Sequence, residues 1–103
     1  MQIIWSDFAI NNLKEIFNYY KTNVSLKIAH AIRKQILEAT KQLQRFPESG
    51  SPEFYLEELQ LNHRYLVINN YKIIYRISEN KILINDVFDV RQSPNKMINK
   101  RTK

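Results

Sequence analysis

The hydrophobic period changes once along this chain, and the change falls at its clearest loop. Residues 47–52, PESGSP, hold the only Gly and two of the three Pro. Before this loop the apolar residues recur at helical spacing, and beyond it they alternate. Such an order, helices first and strands after, predicts an α+β domain in which a sheet packs on helices.

Gln2 to Trp5 reads as a short first strand. Ser6 is placed to cap a helix, with Asp7 near its positive end. Ala9, Leu13, Ile16, Phe17 and Tyr20 then mark one helical face. The pattern breaks near Thr22 and Asn23, Ser25 can cap again, and Ile28, Ile32, Ile36, Ala39 and Leu43 form a second stripe ending before Pro47. A connection of about four residues makes the two helices an antiparallel hairpin.

In the second half, Leu59 to Ile68 reads as one or two strands, Tyr71 to Ile77 as another, and Ile82 to Val90 as the last. Turns are expected at Asn69-Asn70 and around Glu79 and Asn80. The expected order is therefore β-α-α-β-β-β, with residues 1–94 forming one domain and 95–103 a basic C-terminal tail. That tail is either a short helix through Lys96, Met97 and Ile98 or a frayed end.

If Asn69-Asn70 is a two-residue loop, Ile68 pairs with Tyr71, Val67 with Lys72, Leu66 with Ile73, Tyr65 with Ile74, Arg64 with Tyr75 and His63 with Arg76. Tyr71, Ile73, Tyr75 and Ile77 then share the helix-covered face with Leu66 and Ile68. The opposite face gathers His63, Tyr65, Val67, Lys72, Ile74 and Arg76, and is expected to lie open to solvent.

An open face of that composition suits an anionic partner. Lys72 and Arg76 fall on one face of one strand, where both can meet phosphates of a nucleic-acid backbone. Tyr65 can stack on a base, and His63 titrates in a range suited to proton transfer. Each also has a plainer role, since strand lysines and arginines discourage edge pairing and tyrosines fill space. His30 lies beside the second apolar stripe without a partner at ligand spacing. Asp86 and Asp89 should point to opposite faces, which argues against a carboxylate pair.

Charge points the same way. Sixteen Lys and Arg against ten Asp and Glu leave a net charge of +6, which favours an anionic partner. The bases Arg91, Lys96, Lys100, Arg101 and Lys103 crowd the end of the chain, whereas Glu48, Glu53, Glu57 and Glu58 gather in the central connection. With no cysteine, disulfides and thiolate metal sites are excluded. There is no phosphate-binding loop, dinucleotide fingerprint, nucleophile elbow or zincin motif, so no cofactor, no metal and no small-molecule substrate are expected. No apolar run approaches the roughly 20 residues of a membrane span, and the start of the chain lacks a signal-peptide pattern. A soluble, cytoplasmic protein without a membrane partner is expected.

Four stretches together resemble the RelE/ParE superfamily of toxins from type II toxin–antitoxin systems: WSDFAINNLKEI, LEATKQLQRFP, RYLVINNYKIIYRI and ILINDVFDVRQSP. The resemblance runs from Trp5 to Pro94. It implies a growth-inhibiting toxin, of the kind associated with plasmid stabilization, neutralised by a cognate antitoxin that wraps it. ParE-like members inhibit DNA gyrase without a nuclease site, whereas RelE-like members cleave mRNA on the ribosome without a metal.

Carried over by position, the RelE-like central arginine falls at Lys72, which keeps the charge but loses the bidentate fork. Two lysines fall near His63 and Tyr65, a late arginine at Gln92 or Arg91, and a terminal tyrosine near Met97 or Ile98, where there is no phenol. A nuclease would therefore depend on Lys72, Arg91 and His63 as catalytic groups. Arg64, Tyr65, Lys72, Arg76, Arg91 and Lys96 are the residues expected to bind nucleic acid or a target. The incomplete set favours gyrase inhibition, with the mRNA endoribonuclease second and a non-toxic nucleic-acid or protein-binding adaptor third.

Overall fold

A computed structural model of the chain describes residues 1–92 and 95–97. Strand β1 spans Gln2–Trp5, helix α1 Asp7–Asn23 and helix α2 Leu26–Arg45. A two-residue strand β2 at Ser51–Pro52, a 3₁₀ helix at Phe54–Leu59, and strands β3 (Arg64–Ile68), β4 (Tyr71–Ser78) and β5 (Lys81–Asp89) complete the order. Among the described residues no helix is long and apolar enough to cross a membrane.

Both helices begin where the sequence places their caps. The Ser6 hydroxyl accepts the amide of Ala9 at 3.0 Å and the Ser25 hydroxyl that of Ile28 at 3.1 Å, each satisfying a donor left over in a first helical turn. The hairpin between them is tighter than expected, with only Val24 and Ser25 between the helices.

The strands form one sheet in the order β1-β5-β4-β3-β2, with β1 parallel to β5 and the other pairs antiparallel. The first strand thus lies beside the last. A helical hairpin is long enough to make that crossover, which a parallel pair requires. The backbone amide of Ser6 donates to the Ile84 carbonyl at 3.0 Å, so the start of α1 is pinned to β5.

The β3–β4 register matches the sequence reading from Ile68↔Tyr71 through Arg64↔Tyr75; the expected His63–Arg76 pair is absent because β3 starts at Arg64. Asn69 takes φ 53° in that turn, and Glu79 and Asn80 take φ 51° and 63° in the next, the left-handed region that tight hairpins use. Tyr71, Ile73, Tyr75, Ile82, Ile84 and Val87 meet Ala9, Ile36 and Leu43 of the helices in the main core, with Leu13, Ile16, Tyr20 and Ile32 packed at its margin. Ile28, read as part of the α2 stripe, is instead exposed near the start of the helix.

Two further expectations fail. Leu59 to Ile68 is not one long strand or two, because residues 54–59 coil as a 3₁₀ helix that ends on Gln60 in the left-handed region. The sheet face opposite the helices is not open either. Leu56 from the 3₁₀ helix and Met97 from the C-terminal segment cover Ile74 and Phe88, all four at most 4% exposed, with Tyr65 beside them. Asn95, Lys96 and Met97 are helical, as one of the two tail readings had it; Ile98, Lys100, Arg101 and Lys103 lie outside the described residues.

Candidate functional site

The turn at Asn69-Asn70 fixes which residues of β4 face away from the helices, and Lys72 is the first of them. Its surroundings are those of a strut. The ammonium lies 3.0 Å from Glu53 Oε2, 4.2 Å above the Tyr65 ring and 5.5 Å from that of Tyr55. The Glu53 side chain is 1% exposed and that of Lys72 19%. Lys72 therefore does not project into water as expected from strand alternation, because the 3₁₀ helix folds back over it.

Glu53 organises that return. Its second carboxylate oxygen accepts the Tyr55 amide at 3.3 Å, capping the 3₁₀ helix, and its own backbone amide donates to the His63 carbonyl at 2.9 Å. Arg76, four residues further along β4, is half-buried and makes no ion pair among the described residues.

His63 is 5% exposed and lines a cavity of about 300 Å³ with Glu48, Pro52, Asn62, Arg64 and Ile77. Arg64 is spent on the loop beside it, donating to the carbonyl of Gly50 at 2.9 Å and of Glu48 at 3.3 Å. Tyr75 secures the same loop from beneath. Its hydroxyl donates to the Pro47 carbonyl at 2.8 Å and accepts the Gly50 amide at 2.9 Å. Burial is the main reason that this hydroxyl is pushed above the ordinary tyrosine range, although the Gly50 amide pulls the other way.

Arg91 stands elsewhere. Its guanidinium grips Asp89 with both arms, Nε to Oδ1 at 2.9 Å and Nη2 to Oδ2 at 2.7 Å, and its backbone amide adds a third bond at 2.9 Å. These bonds hold the Asp89 carboxyl below its usual range, and the carboxylate in turn raises the guanidinium's own pKa. Arg91 borders a cavity of about 360 Å³ whose wall includes Asn12, Tyr19, Tyr71, Asp86 and Asp89. There the Tyr71 hydroxyl donates to that of Tyr20 at 3.2 Å, and burial, reinforced by this contact, pushes Tyr71 up.

Asp86 and Asp89 both border that cavity, although simple alternation separates them. Asp86 pairs with Ile74 and Asp89 with Tyr71, so the two stay on opposite faces and the cavity reaches both at the end of the sheet; the register slip that leaves Asn85 as an extra residue in β5 precedes both and turns them together. Asp86 Oδ1 accepts a hydrogen bond from the side-chain Nδ2 of Asn12 on α1 at 2.6 Å.

The nuclease set is thus dispersed. Lys72 is held by Glu53, His63 sits in one cavity and Arg91 in another, and neither of these two cavities includes a second member of the set. The terminal position that would need a phenol holds Met97, 1% exposed in the small second core. Lys96 beside it is exposed. Sequence reasoning missed Glu53, Tyr55 and Leu56. The signals for them were Ile74, an apolar residue on the face assigned to solvent, and Leu56 and Leu59, spaced for one ridge of a 3₁₀ helix.

Residues 3–94 match a family described as the ParE toxin of type II toxin–antitoxin system, parDE. Among solved structures, the chain is similar to one described as the chromosomal ParDE TA system from P. aeruginosa, with a TM-score of 0.74 and 22% sequence identity. That likeness covers 87% of this chain and 96% of the other, and it is a likeness of fold. No curated protein matches the chain.

Proposed function

Because the chain belongs to the ParE toxin family of type II toxin–antitoxin systems, we propose that it stops growth by inhibiting DNA gyrase in the cytoplasm without cutting nucleic acid, and that a cognate antitoxin restrains it. The observation that carries the non-nuclease half is the fate of Lys72. RNA cleavage by the ribose 2′-hydroxyl needs a cation at the phosphate and acid–base groups within hydrogen-bond reach of one another. Lys72 is occupied by Glu53 and walled in by two tyrosines, with His63 and Arg91 in other cavities.

Its antitoxin is expected to be acidic. The exposed cations best placed to meet it are on α2, where Lys27, Arg33, Lys34, Lys41 and Arg45 stand against a single acid, Glu38. Lys72 and Arg91 join such an interface only if the incoming carboxylates displace Glu53 and Asp89.

Two measurements on one preparation test the reading. Purified protein added to gyrase and relaxed plasmid should block supercoiling, and induction in bacteria should give filamentation, DNA breakage and an SOS response. Rapid translation arrest with mRNA cut on the ribosome, and supercoiling untouched, would transfer the assignment to the RelE-like mechanism. Normal growth on induction would remove the toxin reading altogether.

A further inference from the structure

The 3₁₀ helix Phe54–Leu59 presents large apolar side chains to water beside the exposed carboxylates of Glu57 and Glu58. Phe54 is 75% exposed and Tyr55 50%, with Leu59 and Leu61 beyond them at 44% and 45%. In a 3₁₀ helix residues three apart eclipse one another. Leu56 and Leu59 therefore share one ridge, and Leu56 turns it inward to meet Ile74, Phe88 and Met97. The other two ridges pair Phe54 with Glu57 and Tyr55 with Glu58, an aromatic ring and then a carboxylate on each, and all four residues are exposed.

This segment is no loose loop. Glu53 caps it, the Glu53 amide ties it to His63, Leu56 anchors it, and Lys72 lies beneath the Tyr55 ring. Aromatic rings carried on a braced backbone suit a protein partner's anchors, since little backbone freedom is left to lose and each ring has only two side-chain torsions to fix.

We propose that the Phe54–Leu59 surface docks a protein whose apolar pocket is rimmed by lysine or arginine, and that this protein is the toxin's target rather than its antitoxin. Charge selects the occupant. Glu57 and Glu58 repel the phosphates of nucleic acid and lipid headgroups. They are equally mismatched to an antitoxin whose acidity complements the chain's net charge of +6, and whose natural landing place is the cationic α2. A cationic pocket satisfies both the rings and the carboxylates. The assignment of that occupant as the target rests on the toxin reading above, and it makes the toxin two-faced, with the basic α2 side for restraint and the acidic 3₁₀ side for attack.

Phe54→Ser and the double variant Glu57→Lys/Glu58→Lys test this, each expressed in bacteria beside the wild type and each assayed for binding to the protein encoded next to the toxin. Thermal melts by circular dichroism confirm that both fold. Each variant is expected to lose killing by roughly tenfold or more, as for removal of a central anchor, while antitoxin affinity stays within about threefold. A wild type that kills and variants that kill equally would overturn the docking surface and leave the toxin reading standing. Parallel loss of antitoxin binding would overturn it too, by giving the surface to the antitoxin. So would a concentration-dependent dimer that Phe54→Ser dissolves, which gives it to a second copy. A wild type without toxicity would bring down both readings.

Discussion

Replacing Lys72 by Met leaves a carboxylate buried without its cation, and the structure sets the size of the penalty. Breaking a fully buried pair from one side costs about 3–5 kcal/mol, mostly because the remaining charge has lost both water and partner. Here the Glu53 side chain is 1% exposed but that of Lys72 is 19%, and Glu53 keeps the Tyr55 amide at 3.3 Å. Partial solvent access and the surviving hydrogen bond reduce the charge term, while losing the cation over Tyr65 at 4.2 Å adds about 0.5–1 kcal/mol. We expect a net loss of about 2–4 kcal/mol, which for a domain of this length lowers Tm by about 4–8 °C per kcal/mol. Urea denaturation monitored by circular dichroism measures it. Glu53→Gln/Lys72→Met removes the charge from both sides and should be more stable than Lys72→Met alone by about 1–2 kcal/mol, because no ion is then stranded. A single variant within about 0.5 kcal/mol of the wild type, or a double variant that merely adds the two losses, would refute the strut.

The same geometry sets three further outcomes. Gly50→Ala puts a Cβ 2.6 Å from the Tyr75 hydroxyl and 2.8 Å from the Tyr65 carbonyl, so it should cost about 1–3 kcal/mol by overpacking; an unchanged urea midpoint would show that the loop yields freely. Tyr71 and Tyr75 hold their protons beyond the ordinary tyrosine pKa of 10.0, chiefly through burial. Their share of stability is whole below about pH 10, where both states are protonated, and is lost as pH rises from there towards the folded values. Absorbance at 295 nm should therefore show two of the six tyrosines ionising only as the protein unfolds, and six hydroxyls titrating together would contradict their burial. Arg91→Gln should let the Asp89 carboxyl climb back towards 3.8 from its lowered value, as read by carboxyl-carbon NMR; an unmoved Asp89 would mean that something other than the guanidinium holds it down.

Local chemistry made much of this fold readable. Ser6 and Ser25 cap as their positions require, and a pair of asparagines fixes the β3–β4 register residue by residue. What escaped depends on contacts between distant parts of the chain. Nothing near Gln2–Trp5 announces that its partner is Lys81–Ile84 in parallel. The extra residue at Asn85 cannot be seen from β5 alone, because it exists only against the partner strand. The covered second face was partly legible: Ile74, between Lys72 and Arg76, made little sense in water, and Phe88 is paired opposite Lys72. Alternation says which residues share a face but not whether anything lies over it.

The same limit decides how the site residues were weighed. Lys72, Arg76, Tyr65 and His63 looked like a binding surface because they share one side of a strand pair, and strand pairing carries no information about a segment packed over that side. Six residues of 3₁₀ helix change the meaning of the group, turning Lys72 and Tyr65 into the underside of a platform whose outer surface is Phe54, Tyr55, Glu57 and Glu58. The cation that looked free to hold a phosphate, Lys72, is held by the chain's own Glu53. A buried carboxylate that already neutralises the cation competes with any incoming phosphate at high effective concentration.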